Sequence, residues 1–273
     1  METSTAIDRF ERLVTDGSEH VNVAECALTV AAAMRPEADV EQGLDQLTEL
    51  AAGASFRVAR AESPLGQINA LNARLFDELG FSGNVDDYYD PRNSLLDAVI
   101  ERRLGIPITL SLLYIEIAKR LEVPMVGVGM PGHFLVRHVD EESLYVDPYN
   151  RGVILSEAEC VAQFHRVNQG MRWDPAFLAP VSDRALLARM LRNLGGIWTQ
   201  RAQLRQAEQV LTMLVALQPG EAGHLRERGM LRFRLGERDQ ALTDLGRYID
   251  ASVSAPDAWY VRRLIDRIRG ESD

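Results

Sequence analysis

The stretch from Gly105 to Leu121, GIPITLSLLYIEIAKRL, constrains the fold more than any other part of the chain. Between Ile106 and Ala118 it is apolar on nearly every side, and a helix with no polar face has to be covered all round by other elements. Pro107 suits the first helical position, where a missing N–H costs nothing. With 273 residues, 46% of them hydrophobic, the chain has material for one large core or two modest ones, or for one to three units in all.

The elements on either side of this helix differ in period. Before it, apolar positions recur at helical spacing: NVAECALTVAAAM and RPEADVEQGLDQLTELAAGA read as two helices parted at Arg35-Pro36, and a third runs from about Glu62 to Leu79, ending at Gly80. FSGNVDDYYDPRN then reads as an ordered loop, with Tyr88 and Tyr89 either packed over a cleft or exposed as an acidic and aromatic contact surface. Ser94, with Asp97 three positions on, is expected to cap a short helix that ends near ERRLG, where Arg102 and Arg103 complement the helix dipole. After Pro124 the period turns extended. MVGVGM, HFLVRHV and SLYVDP predict three antiparallel strands, with GVIL as a fourth, before Ser156 opens another helix that reaches Val167.

The C-terminal third carries an internal repeat. Leu191 and Leu225, Gly195 and Gly229, Ala207 and Ala241, Leu211 and Leu245, and Leu214 and Tyr248 are each 34 residues apart. That period resembles two tetratricopeptide repeats followed by a capping helix from Ala258, with small residues at the helix crossings. Two repeats are few for independent stability, so the array is expected to pack on the preceding domain. The expected organisation is a helical segment over 1–57 packing on the core, a core over 58–175, and repeats over 182–273.

Composition excludes several classes of function. Forty acidic residues against thirty basic ones give a net charge of -10, which disfavours nucleic acid and anionic lipid as partners, and no basic stripe or helix-turn-helix offsets it. Cys26 and Cys160 are the two cysteines; neither forms a Cys-x-x-Cys pair, and a reducing cytoplasm suits such sparse usage. The first residues, METSTAIDRFERLV, lack the basic and apolar regions of an export signal, and no apolar run approaches the roughly 20 residues of a membrane span.

His133 and Asp147, at the ends of neighbouring extended runs, supply two parts of a thiol-hydrolase site. Such a site also needs a thiolate at a helix N-terminus. An antiparallel turn near Asp140 to Ser143 would bring the pair to one sheet edge. The blocks NARLFDELGFSGNVDDYY, NSLLDAVIERRLGIPITLSLLYIEIAKRLEVP, PGHFLVRH and LYVDPYNRG resemble the SirB-type bacterial family of transglutaminase-like proteins with C-terminal tetratricopeptide repeats, labelled regulators of gene expression. The resemblance spans most of the chain. It implies an α+β, papain-like or transglutaminase-like core with N-terminal helices, followed by an all-α repeat region.

In active members of the wider superfamily the central helix opens with Gly-x-Cys; here the segment is Gly105-Ile106-Pro107. The resemblance therefore places Pro107 where the nucleophilic cysteine would stand and matches His133 and Asp147 to the histidine and aspartate. Ser111, one turn farther on the same face, is a weak substitute, since a serine needs direct contact with its base and a buried hydroxyl bonds readily to a backbone carbonyl one turn back. Cys26 and Cys160 each follow a glutamate, which raises a thiol pKa, and read as packing residues. His138 lies an odd number of residues from His133, on the other strand face, so the two do not form a metal pair; Asp86, Asp87 and Asp90 are the conceivable further ligands for a site at His133 and Asp147, but no zinc spacing is present. Neither cofactor nor metal is expected. The sequence thus favours a nucleophile-less pseudoenzyme that binds a protein or peptide partner in a regulatory role. The competing expectation is a hydrolase or acyltransferase acting on amide bonds through His133, Asp147 and either Ser111 or a water.

Overall fold

In the computed structural model, which describes residues 3–15, 21–252 and 255–270, the apolar segment forms the helix Pro107–Arg120, and every side chain from Pro107 to Tyr114 is buried. Its start is set by Thr109, whose hydroxyl accepts from the Ile106 N–H at 3.2 Å and donates to the Asn93 carbonyl at 2.6 Å. Glu116, the one acidic residue of the helix, is buried but pairs with Arg120 at 2.9 Å one turn on.

The chain divides into two compact units, Met1–Ala6 with Glu19–Met190, and Ile7–Ser18 with Leu191–Asp273. Its helices are α1 (Thr3–Thr15), α2 (Val23–Met34), α3 (Val40–Ala52), α4 (Ser55–Ala59), α5 (Pro64–Asn72), α6 (Leu96–Arg102), α7 (Pro107–Arg120), α8 (Glu157–Val167), α9 (Asp183–Gln200), α10 (Leu204–Leu217), α11 (Ala222–Arg234), α12 (Arg238–Ala251) and α13 (Ala258–Gly270). In the first unit α2, α3 and α6 cover α7 on one side, and the strands β3 (Met125–Val128) and β4 (Leu135–His138) cover it on the other. β5 (Leu144–Asp147) and β6 (Val153–Ser156) complete an antiparallel meander in the order β3-β4-β5-β6, with Met125 opposite His138, Val136 opposite Val146 and Asp147 opposite Val153. The fourth strand expected at GVIL is β6. A small parallel pair, β1 (Ser82–Gly83) with β2 (Leu104–Gly105), ties the acidic loop to the approach of α7.

Local chemistry explains most of these boundaries. Asn22 and Asp39 cap α2 and α3 by accepting backbone N–H groups, and Ser156 with Glu159 forms a capping box at α8. Two details depart from the sequence reading. Ser94 does not cap α6: it ends a 3-10 turn, Pro91–Ser94, that is itself capped by Asp90, and its buried hydroxyl has no partner among the described residues. The third helix changes to π-helical winding over Ala73–Glu78, and the Phe76 carbonyl accepts from Arg151 at 2.9 Å.

In the second unit α9 from Leu191 on and α10, then α11 and α12, form the paired repeats, and α13 follows from Ala258. The two glycines of the 34-residue period sit at equivalent crossings. A Cβ on Gly195 would lie 3.2 Å from Val210, and one on Gly229 only 2.8 Å from Leu245 and 3.2 Å from Asp244, the residue one period after Val210. Leu211 is half-buried where its partner Leu245 is fully buried. Asp244 replaces an apolar residue at that crossing and is itself 1% exposed. Its carboxylate accepts from Arg228 at 2.8 and 2.7 Å and from Arg232 at 2.9 Å, while Arg232 also reaches Glu208. Removing one member of such a network strands the rest in low dielectric. Asp244→Ala should therefore lower unfolding free energy by about 3–5 kcal/mol in urea denaturation, whereas Asp239→Ala on the same helix stays near wild type.

Candidate functional site

The site begins with a turn that the sequence spells out. Met130, Pro131, Gly132 and His133 follow the Pro-Gly pattern of a type II turn, with Gly132 at φ +76° and the His133 N–H donating to the Met130 carbonyl at 3.0 Å. Three carbonyls of this turn accept side-chain donors. Arg189 of α9 donates to Met130 O at 3.0 Å and to His133 O at 2.7 Å, and Asn168 donates to Pro131 O at 2.9 Å. The Arg189 guanidinium also lies 5.2 Å from the centre of the Phe134 ring. His133 thus stands just before β4, which starts at Leu135, on a turn held from outside the sheet.

Asp147 ends β5, and its Oδ2 lies 2.8 Å from His133 Nε2. The same carboxylate is an acceptor for its own turn, from the Asn150 N–H at 3.1 Å and the Asn150 amide at 2.7 Å, and for α8, from the Gln163 amide at 3.2 Å. Asp147 is 1% exposed and His133 8%. Burial by itself would push the Asp147 carboxyl up, but the hydrogen bond and charge of His133, with Asn150 and Gln163, hold it below the ordinary carboxylate value. His133 Nδ1 has no hydrogen-bond partner among the described residues.

A row of aromatic rings covers the pair. Tyr149 meets the His133 ring edge-on at 6.0 Å, Tyr88 meets Tyr149 at 6.2 Å, and Tyr89 meets Tyr88 at 5.2 Å. Of the two readings of the acidic loop, Tyr88, against Tyr149 yet 39% exposed, follows the packed one only in part, and Tyr89, 60% exposed, follows the outward one. The loop is anchored by the fully buried Asn93, whose amide donates to Asp87 O and Tyr88 O and whose Oδ1 accepts from Asn84 and Arg102. Gly83 leaves the room that the Tyr149 ring fills, since a Cβ there would come within 2.4 Å of it.

The remaining sequence candidates fall away from this pair. Ser111 is fully buried, and its hydroxyl donates, at a long 3.4 Å, to the Phe134 carbonyl across the interface with β4, not to a carbonyl one turn back and not to His133. Cys160 packs with Val128, Leu135 and Phe164, and its thiol is pushed up to about 12 by burial, with Asp147, Glu159 and Glu157 adding to the effect. Cys26 is buried in α2. His138 is bound at both nitrogens, Nε2 to Gln67 at 2.9 Å and Nδ1 accepting from the Asp140 N–H at 3.0 Å. Asp90 is committed to Arg92 and Arg102, and among the described residues no group of three or more His, Cys, Asp or Glu is placed to hold a metal. Sequence reasoning missed Gln163, Arg189 and Asn93, which reach the site from distant segments, and Asn150 and Tyr149, which stood in the quoted DPYN.

A buried helix under a meander, with a histidine and an aspartate joined at the sheet edge, is the architecture of the transglutaminase-like class. A family model described as the transglutaminase-like superfamily matches residues 39–192, and one for the tetratricopeptide repeat matches 194–266. The chain belongs to the bacterial family of transglutaminase-like proteins with C-terminal tetratricopeptide repeats. It is 41% identical over 203 residues to a UPF0162 protein of Xylella fastidiosa, covering 72% of each chain, and 24% identical over 264 residues to a UPF0162 protein of Vibrio cholerae, covering 95% of this chain and 97% of the relative. It is also 32% identical over 198 residues to the human F-box only protein 21, of which those residues cover 31%. No helix among the described residues is long and apolar enough to cross a membrane.

The depressed Asp147 carboxyl sets a pH signature. A folded-state value below the unfolded one contributes stability that is present above the ordinary carboxylate range and is lost as pH falls through the folded value. The stability difference between wild type and Asp147→Asn should be largest above about pH 4 and shrink below it. Urea midpoints taken at descending pH test this, and a difference that stays constant contradicts it.

Proposed function

We propose that the protein is a non-catalytic member of its family that acts as a protein-binding, regulatory module through its cleft and its repeats. The carrying observation is at the start of α7: Pro107 occupies the helix N-terminus where the family resemblance puts the thiol, and the nearest hydroxyl on that face, Ser111, is buried and spent on Phe134. A proline side chain offers no electron pair to an acyl carbon, and the thiol of Cys160 is held protonated by its surroundings. Tetratricopeptide arrays serve as extended binding surfaces, which fits the second unit to the binding half of this reading. The cytoplasm is its proposed location, and two free, buried cysteines suit a reducing compartment.

One observation favours a second reading. The His133 and Asp147 pair keeps the geometry of a general base with its orienting carboxylate, and Nδ1 is uncommitted among the described residues, so a hydrolase or acyltransferase could use it to activate a water against an amide bond. A panel of amide and ester substrates, assayed with wild type and His133→Ala, separates the two. Equal background rates are expected. A rate that falls by about a hundredfold or more in the variant establishes the enzyme instead. The full chain used as bait should retain a partner protein, and a bait that retains none overturns the binding half.

The position assigned to Pro107 has its own test. If the correspondence holds, a cysteine introduced by Pro107→Cys stands at a helix N-terminus within reach of the His133 imidazole and should titrate below the usual ~8.5, because both favour thiolate. Alkylation rate against pH, resolved to that peptide by mass spectrometry, measures it, with His133→Ala expected to move the value back up. An ordinary value in both backgrounds removes the correspondence.

A further inference from the structure

Helix α13 has two unlike faces. Val261, Leu264, Ile265 and Ile268 are buried with Leu225, Ala241, Leu245 and Tyr248 in the core of the second unit. The opposite face exposes Trp259, Tyr260, Arg262, Arg263, Asp266, Arg267 and Arg269. A helix that merely seals a repeat stack needs a polar outer face, and large aromatic rings do not serve that end. Yet Trp259 is 60% and Tyr260 47% exposed, their rings set edge to face at 6.0 Å, and with Arg263, Leu264 and Arg267 they line a concavity of about 270 Å³.

The charge on this face runs against that of the chain. Four arginines stand beside one aspartate, Asp266, in a protein of net charge -10. Elsewhere in the same unit Arg205 pairs with Glu237 and Arg226 with Asp257, while Arg234 and Arg247 are exposed without a pair among the described residues, so what sets α13 apart is the clustering of its arginines beside two exposed rings. Arg262, Arg263, Arg267 and Arg269 make no ion pair or hydrogen bond among the described residues. Unpaired guanidinium groups beside exposed indole and phenol rings are the composition of a recognition surface.

We propose that the Trp259, Tyr260, Arg263 and Arg267 face of α13 docks an acidic peptide segment of a partner protein. The two rings pack against its apolar groups and the two guanidiniums take its carboxylates. The assignment rests on the binding reading above and names the chemistry of the partner. An anionic bilayer fits less well, because the apolar face that would enter it is already buried in the repeat core. A nucleic acid fits less well because its extended backbone would meet a strongly acidic chain, with a single basic helix to hold it.

Fluorescence polarisation of the full chain with a short fluorescein-labelled peptide of Glu, Asp and Leu tests the site, against the same peptide with Gln and Asn in place of its acids. The acidic peptide should bind about tenfold more tightly than the amide one. Arg263→Glu with Arg267→Glu, and separately Trp259→Ala, should each weaken it by about tenfold or more, the loss of one well-placed anchor. All three side chains are exposed, so circular dichroism should be unchanged. Equal binding of the two peptides, or binding indifferent to both variants, overturns the proposal. So does tighter binding to a single-stranded oligonucleotide or to phosphatidylcholine–phosphatidylserine vesicles, or self-association in sedimentation velocity that the charge reversal abolishes. Each of these results leaves the substrate assay with His133→Ala untouched, so failure of this site and failure of the non-catalytic reading are separately visible.

Discussion

A helix without a polar side cannot end at water on any flank, and the first unit is arranged around that constraint. Covering α7 takes α2, α3 and α6 on one side and β3 and β4 on the other, which leaves the helix ends as the places where its backbone polar groups still need partners. At the N-terminal end Thr109 and the carbonyl of Asn93 meet that need. Because Asn93 also holds Asp87 and Tyr88, the capping of the buried helix and the placement of the aromatic loop are one arrangement. The cover over His133 therefore follows from the burial of α7.

The same logic shows which parts could be read from sequence. All-round apolarity gave away α7, short β-branched runs gave away the strands, and an antiparallel turn near Asp140 to Ser143 put His133 and Asp147 at one sheet edge. These are local signals. Gln163 and Arg189 reach the site along bonds that span 16 to 59 residues, Asn93 ties Asn84 to the carbonyls of Asp87 and Tyr88, and no local periodicity marks a residue for such a role. Ser94 misled for a related reason. It has the right residue type and spacing for a cap, but Asp90 and Pro91 had already started a 3-10 turn there, and the helix opens one residue later from an extended Leu95. The π-helical segment is likewise a tertiary matter, since Asn72 just before it and Phe76 within it bond to Gly152 and Arg151 in the turn between β5 and β6.

Asp147 shows why a histidine and an aspartate can be paired here whether or not they serve a reaction. A carboxylate this buried is costly unless its acceptor sites are filled, and His133, Asn150 and Gln163 fill them. Loss of the imidazole would leave a buried charge short of a partner, at the junction of β5, the following turn and α8. The pair is thus a structural element in its own right, and its presence is weak evidence for catalysis. What distinguishes a base from a brace is the other nitrogen: Nε2 is occupied by the brace, and only Nδ1 could act on a substrate.

The two units handle buried charge in parallel ways, and the contrast with α13 follows from it. Asp147 in the first unit and Asp244 in the second are both enclosed, and both have their oxygens taken up by donors from more than one element. Where this chain buries a charge, it pairs it. The arginines of α13 are exposed and have no ion pair among the described residues, so they add little to the fold. Their clustering next to Trp259 and Tyr260 has no counterpart in the needs of the repeat core, whose contacts all lie on the other side of the helix. A feature that the folded chain does not require, and that opposes its net charge, is most economically explained by a ligand of the opposite sign.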